Sequence, residues 1–475
     1  MSRAPSMRPR GSAIVLFAVM VAHALLETAR DALFLGRLGP ERLAWAYVAI
    51  AGLSIVVVAA ARRWGGRRDP RRLLLGFLAL AALGTGAFAA LVSLAPAVFG
   101  LYLWTGVVAA LLLPAFWLVV DRAEDVSGAR RAFTGLAAAG ALGALVGFVL
   151  AAGLGAWLGA RALVIASAMG FALAGVAAAR GMPADARSVA RVRAARLDQR
   201  AALARSARYV ALLLALGLLA TIALTIGDLA FKRALAARLP ADELPLAFGA
   251  AYAGLNVLGL LVQLGFTTRA LDRVGVGGAL AVLPALVGLA GLGLAATAAL
   301  GAGVAVKIAD GALRHGMYRV ATEILFLPLA APVREAGKHL VEVIGQRGGQ
   351  ALAALLSLVL LAGDAPVARM GALVAAFAAA WLVAVAFTRR AYLRQLRDRL
   401  EAGEVQRTGS IPSVDAEAAG MLEVSLSSPV EAEALAALDV LAAAGRPIPA
   451  LVLYHPSSVV CLLYTSDAAD EEDSV

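Results

Sequence analysis

Charged side chains inside long apolar segments are the residues of this sequence whose type and spacing best fit a chemical task. They lie in or beside residues 13–36, 208–231 and 302–328. An ionisable group in such a segment is costly unless it faces a cavity or a partner of opposite charge. The bases are Arg30, Lys232, Lys307, Arg314 and Arg319, and the acids are Glu27, Asp31, Asp228, Asp310 and Glu323.

The bases predict an anion-binding cavity. Guanidinium forks and ammonium groups suit phosphate oxygens, and the acids would hold the bases when no anion is bound. Because each helical residue advances roughly 100°, Lys307, Asp310 and Arg314 should share one stripe. Arg319 and Glu323 should lie on a second stripe, about a quarter turn away. The alternative is a set of structural ion pairs and of long side chains reaching water from segment ends. Acids nearly equal bases in number, so the cavity is not strongly positive.

The elements that must position these residues are transmembrane helices. Hydrophobic residues make up 61% of the 475 residues and charged residues only 16%. The stretch between Arg72 and Ala95 contains no charge, and about 20 apolar residues suffice to cross a bilayer core. The sequence therefore predicts an all-α membrane protein in the lipid bilayer. The predicted spans are 13–36, 43–61, 72–93, 96–120, 133–156, 159–180, 208–231, 245–266, 276–300, 302–328, 347–363 and 367–388.

The loops between these twelve spans alternate between rich and poor in arginine and lysine. Positive loops remain in the cytoplasm, so we expect a multi-pass protein of a bacterial inner membrane with both termini cytoplasmic. The formal net charge of +11 lies in these loops and does not indicate nucleic-acid binding. The glycines of 140–147 predict close helix packing. Four tryptophans near span ends predict interface anchors, namely Trp45, Trp104, Trp157 and Trp381.

Two six-helix halves are predicted from an internal repeat. The segment AGLSI at 51–55 matches AGLNV at 253–257, an offset of 202, and residues 30–31 pair with 232–233 at that offset. Repeated halves are common in transporters. The predicted divisions are a first half at 1–180, a basic cytoplasmic loop at 181–207, a second half at 208–390, an amphipathic helix and linker at 391–413, the start of a helical repeat at 414–460 and a non-native tail at 461–475.

Short charged loops follow the second span of each half. Asp69 lies in GRRDPRR, and Asp272 and Arg273 lie in an Asp-Arg-x-Gly sequence at 272–275. Charge pairing and helix-end dipoles would let such a loop hold two helices in one of two packings. The alternative is a simple basic turn. The layout and this loop resemble the major facilitator superfamily, which implies alternating access between two halves.

A narrower resemblance covers residues 13–390. The segments TARDALFL at 28–35, GDLAFKRALAARLPADEL at 227–244 and RHGMYRVATEILFLPLAAPVREAGK at 314–338 resemble the ATP:ADP antiporter family of nucleotide-exchange transporters. The resemblance is to the bacterial branch that joins this membrane unit to HEAT-type repeats. It implies a small anionic solute, with ATP and ADP as candidates, and spans 1, 7 and 10 along the central path.

The C-terminal region resembles the opening of a helical repeat array, which would bind a protein partner through repeats that lie beyond it. Its acidic end, CLLYTSDAADEEDSV at 461–475, resembles translated adapter sequence, so we expect the natural protein to continue differently.

Two further functions remain open at this point. One is a proton-coupled transporter for another solute, using Glu27, Asp31 or Asp228. The other is a membrane sensor or scaffold that no longer transports. An enzyme is not expected, because the sequence shows no nucleophile–base or metal constellation and no phosphate-binding GxxxxGK[ST] loop. No cofactor is predicted.

Overall fold

A computed structural model describes residues 9–65, 69–123, 126–182, 206–329, 331–361, 366–401, 416–428 and 431–443, with residues 448, 452 and 457. Most of the predicted basic loop, the linker after residue 401 and the acidic tail lie outside the described residues. The helices are α1 (Pro9–Leu38), α2 (Leu43–Gly65), α3 (Pro70–Leu91), α4 (Ala95–Ala123), α5 (Val126–Gly181), α6 (Ala207–Ala236), α7 (Leu244–Gly265), α8 (Thr267–Thr297), α9 (Leu300–Leu313), α10 (Arg319–Leu325), α11 (Ala331–Leu340), α12 (Gly349–Leu361), α13 (Pro366–Glu401), α14 (Ala416–Ser425) and α15 (Glu431–Ala443).

These helices supply the twelve predicted spans. Within the described part of the chain, eight are long and apolar enough to cross a membrane. One of the eight, α5, holds spans 5 and 6, which are separated by Gly159 at a φ of 74°. Span 2 is α2, and spans 10 and 11 are each divided by a π-helical turn.

The two π turns cover Arg314–Tyr318 and Val341–Gly348. A π turn holds more residues than an α turn, so the uniform 100° step predicted for span 10 fails beyond Arg314. Span 11 also differs from its predicted start, because helix already begins at Ala331.

The two halves repeat the same helix pairings. In the first half α4 packs against α1, α2 and α3, and in the second α9 packs against α6, α7 and α8. Between halves, α5 meets α7 and α2 meets α12. The first of these contacts is close because Gly249, which has no side chain, lies against the backbone of Ala152.

Small residues also hold α1 against α5. Gly143 lies against Phe17 and Gly147 against Val21 and Ala24, as the glycine series predicts. In lipid the hydrophobic effect does not drive helices together, so the van der Waals contacts made by such close approach stabilise the helix pair.

Two of the four tryptophans predicted as interface anchors are exposed, namely Trp45 and Trp157. Trp104 is half-buried and donates a 3.0 Å hydrogen bond to the hydroxyl of Thr85. The prediction is wrong for Trp381, which is fully buried and donates a 3.1 Å hydrogen bond to the hydroxyl of Tyr318. This tryptophan instead fixes span 12 to the end of the first π turn.

Residues 391–401 continue the helix of span 12. The tail helices then fold back, with α14 against α8 and α15 against α13. Their apolar face, which includes Leu422, Leu438 and Leu441, is buried.

Candidate functional site: a buried charge ladder between the halves

Eight charged side chains from α1, α6, α9 and the first π turn form a continuous row of alternating sign, which we call the charge ladder. Each neighbouring pair is joined by an ion pair of 2.5 to 3.7 Å. In order, its members are Glu27, Arg30, Asp31, Lys232, Asp228, Lys307, Asp310 and Arg314.

Lys232 is the centre of the ladder. Its ammonium lies 3.1 Å from Asp31 Oδ2 on α1 and 3.0 Å from Asp228 Oδ2 on its own helix. The side chains of Lys232 and Asp31 are only 3% and 0% exposed. A buried charge is tolerated only when it is paired and hydrogen-bonded, so the central pair must have further polar partners.

Three tyrosines provide those partners, and sequence reasoning missed all of them. Tyr47 on α2 donates a 2.6 Å hydrogen bond to Asp228, and Tyr252 on α7 donates a 2.7 Å bond to Asp31. Lys232 donates to the hydroxyls of Tyr47 and Tyr102, both at 3.3 Å. Each tyrosine lies in an apolar span, where an aromatic residue gives no signal of its own.

One end of the ladder lies on α1. Arg30 contacts Glu27 at 3.2 Å and Asp31 at 3.4 Å, and its guanidinium lies 4.8 Å from the ring centre of Tyr102. Glu27 also approaches His23, whose Nδ1 is 3.9 Å away. Glu27 keeps 30% of its side chain exposed and Arg30 keeps 14%.

The other end lies on span 10. Lys307 bridges Asp228 at 2.5 Å and Asp310 at 3.7 Å, and Asp310 holds Arg314 at 3.5 Å. Arg314 is the most exposed base of the ladder, with 33% of its side chain accessible. The predicted stripe of Lys307, Asp310 and Arg314 is thus present as a chain of contacts.

Two predicted members lie elsewhere. Arg319 is exposed, and Glu323 pairs with Lys338 outside the ladder. Regular helix already predicts a separate stripe for these two residues, and the π turn at Arg314–Tyr318 changes the angle between the two stripes.

The predicted switch-loop residues lie at α3 and α8, which contribute no member to the ladder. Asp69 caps the N-terminus of α3 by accepting a 3.1 Å hydrogen bond from the Arg71 amide. Arg273 is exposed, and the side chain of Asp272 lies outside the described residues. Gly275, which follows them, has a φ of 68° and breaks α8.

The bonds at the ladder's centre cross between the halves. Asp31 and Tyr47 belong to the first half, whereas Lys232, Asp228 and Tyr252 belong to the second. The tyrosine bonds are reciprocal, because each half offers one carboxylate to a tyrosine of the other half. They lie toward one end of the bundle, which we call the Leu38 end, where α1 finishes and α2 begins.

Solved structures of transporters share this architecture. The nucleoside transporter NupG superposes with a TM-score of 0.58 and 12% identity over 82% of this chain and 99% of that one. The POT family transporter PepTSo gives a TM-score of 0.59 and 12% identity, again over 82% and 99%. No family model matches the sequence, and no curated protein matches it significantly. The chain has the twelve-helix major facilitator fold.

The predicted all-α, twelve-helix fold is thereby confirmed. In the major facilitator fold of this chain, spans 1, 7 and 10 carry the ladder, and spans 2, 4 and 8 contribute its tyrosines. The chain is therefore a multi-pass membrane protein of a transporter fold. The fold positions a balanced row of charges whose central members pair across the two halves.

Proposed function

We propose that the protein is a secondary transporter that moves a small phosphorylated anion, most simply a nucleotide of the ATP/ADP type, by alternating access. The observation that supports this proposal best is the charge ladder, which joins the two halves through buried bonds inside the membrane. Charges retained at such a cost generally mark a solute path.

The ladder's ends are where an anion would first bind. Arg30 and Arg314 keep part of their surface exposed. Arg314 contacts Asp310, and Arg30 contacts Glu27, Asp31 and the ring of Tyr102. A phosphate oxygen provides the same acceptor geometry as a carboxylate, so it can replace Glu27 on Arg30 or Asp310 on Arg314. Lys307 and Lys232 would bind the anion next, after their ion pairs with Asp228 and Asp31 have opened. Arg319 lies exposed beyond the π turn and would take part at entry only.

Alternating access would use the central bonds as a latch. With both termini in the cytoplasm of a bacterial cell, the Leu38 end faces outward, and the Asp31–Lys232 pair closes the outer side. An anion that competes for Lys232 would weaken this pair and let the halves separate there. The switch loops at Asp69 and at Asp272–Arg273 would act at the opposite, cytoplasmic side.

The direct test is exchange in proteoliposomes loaded with unlabelled ADP and supplied with labelled ATP or ADP. We expect uptake that needs internal nucleotide, and at least a tenfold loss in Arg314→Ala. The matched control is Arg238→Ala, since Arg238 is an exposed base that follows α6 and donates to the Ala234 carbonyl of that helix. An uncharged labelled nucleoside serves as a second substrate, because NupG is a nucleoside transporter.

If neither ATP nor ADP is exchanged, whichever of the two is loaded inside the proteoliposomes, the nucleotide assignment is contradicted. Uptake of the nucleoside but not of ATP or ADP would show that the phosphate groups are not recognised. Equal activity in Arg314→Ala and in the wild type would show that Arg314 does not bind the transported anion.

A further inference from the structure

We propose that Asn256 on α7 recognises the nucleobase of the transported nucleotide and favours adenine over guanine. The inference rests on the transport function proposed above and deepens it, because the charge ladder accounts only for the phosphates. The span α7 contains no charged residue but carries two side-chain amides, Asn256 and Gln263. An amide at membrane depth is unfavourable unless it faces a polar partner or a cavity.

Asn256 lies on the side of α7 that faces the ladder. Since each helical residue advances roughly 100°, one narrow stripe of this helix contains Tyr252, Asn256, Gly259 and Gln263. Tyr252 bonds to Asp31 on α1. Gly259 lies against the carbonyl of Gly311 on span 10. The exposed apolar residues of α7 lie on another side of the helix and are Val257, Leu261 and Leu264.

The level of Asn256 in the bundle matches the partly exposed part of the ladder. The helix α7 starts at the Leu38 end, so Asn256 lies one helical turn farther from that end than Tyr252. The helix α1 runs in the opposite direction, so Glu27 likewise lies one turn farther from it than Asp31. Because α7 packs against both α1 and α9, Asn256 lies between the two ends of the ladder where the phosphates would bind.

The amide of Asn256 keeps one donor and one acceptor for a ligand. Its Nδ2 donates a 2.9 Å hydrogen bond to the carbonyl of Tyr252. A carbonyl can only accept, so this bond also fixes which end of the amide is nitrogen. The nitrogen has a second hydrogen, and Oδ1 accepts no hydrogen bond from the described residues. The side chain is half-buried, so both groups remain available to a solute at the ladder.

A donor beside an acceptor matches adenine and not guanine. Adenine donates from its N6 amino group and accepts at N7, and an asparagine amide pairs with both. Guanine has two acceptors at the same edge, O6 and N7, so one of them would face Oδ1. A bidentate pair of this kind typically gives a discrimination of about tenfold or more.

Competition against labelled ADP uptake in ADP-loaded proteoliposomes tests the assignment. In the wild type, unlabelled ATP should inhibit at least tenfold more strongly than GTP. In Asn256→Ala, inhibition by ATP should weaken until the ratio falls below about threefold, while inhibition by GTP stays as in the wild type. Asn256→Asp should reverse the preference, because a carboxylate only accepts hydrogen bonds and the N1 and N2 groups of guanine both donate.

The matched control is Gln263→Glu, which makes the same change from amide to carboxylate on the same stripe. Gln263 is exposed and lies two helical turns farther from the Leu38 end, so its variant should keep the wild-type ratio of ATP to GTP. If the amide of Asn256 serves only the backbone of α7, Asn256→Ala also keeps that ratio, and this result overturns the proposal. A wild type without base preference, or an Asn256→Asp variant that still prefers ATP, overturns it as well.

A binding measurement separates this proposal from the transport function. At equal concentrations, ATP and adenosine should raise the melting temperature in detergent more than GTP and guanosine do, in the wild type and in Gln263→Glu but not in Asn256→Ala. If adenosine stabilises selectively but no nucleotide is exchanged, the proposed anion transport fails and the base assignment stands. Equal shifts with the adenine and guanine ligands overturn the base assignment, whether or not nucleotides are transported.

Discussion

Asp31 on α1 and Lys232 on α6 form a 3.1 Å ion pair between two side chains that are 0% and 3% exposed. This pair connects the first half of the molecule to the second within the membrane. Its removal should affect both stability and the relative position of the halves.

Removing one partner should be strongly destabilising. For Lys232→Met we expect a loss of about 3–5 kcal/mol, because Asp31 and Asp228 are left as buried charges with fewer cations. Thermal unfolding in detergent measures it. Arg233→Met is the control, because its partner Glu41 is largely exposed and such pairs contribute about 0–1 kcal/mol. The double variant Asp31→Asn with Lys232→Met should be more stable than the sum of the single effects, and strict additivity would contradict a direct pairing.

The reciprocal tyrosine bonds should hold the Leu38 end closed. Tyr47→Phe and Tyr252→Phe each remove a bond to a buried carboxylate, which corresponds to about 1.5–3 kcal/mol. Ala44 is buried at the Leu38 end, so the rate at which a small thiol reagent labels Ala44→Cys, in a Cys461→Ser background, reports opening there. We expect both variants to speed this labelling. Tyr209→Phe provides the comparison, since Tyr209 donates a 2.6 Å bond to the Leu325 carbonyl within the second half. Faster labelling in Tyr209→Phe would show that general loosening, and not loss of the cross-half bonds, causes the effect.

Close packing between the halves should be sensitive at Gly249. A side chain there would meet the backbone of Ala152 on α5, so Gly249→Val should destabilise by about 1–3 kcal/mol. On the same helix, a side chain at Gly254 would meet no atom within 4 Å, and Gly254→Val should leave the melting temperature nearly unchanged. Equal effects of the two variants would refute the contact between α5 and α7.

The break in α8 should require glycine. Gly275 has a φ of 68°, and a side chain in this left-handed region costs about 1–2 kcal/mol. Gly275→Ala should therefore lower thermal stability by this amount, whereas Gly265→Ala, at an open position at the end of α7, should not. A neutral Gly275→Ala would mean that α8 can straighten there without strain.

The sequence predicts the helical membrane fold well because lipid imposes a strong and local signal. A stretch such as that between Arg72 and Ala95 carries no charge and is long enough to span the bilayer. The charges of spans 1, 7 and 10 need partners of opposite charge, and these spans provide them to each other. Long uniform helices are predicted from composition alone, and α1 and α6 match closely.

The parts that the sequence does not predict depend on neighbours. Tyr47, Tyr102 and Tyr252 are ordinary aromatic residues until three different helices bring them to Lys232 and its acids. The π turn after Leu313 has no marker in its residue types, so the sequence does not predict how Arg319 and Glu323 are turned relative to Arg314. Trp381 is likewise typical of a membrane interface, and only its contact with Tyr318 shows that it is buried.

The equal number of acids and bases in the ladder has a consequence for the membrane voltage. Moving one elementary charge through the field involves about 2.3 kcal/mol for each 100 mV. If the charges of the binding site sum to zero, the site itself moves no net charge through the membrane field when the protein changes between its two states. The current in each cycle would then equal the difference between the charges carried in and out, so ATP exchanged for ADP would move one net charge.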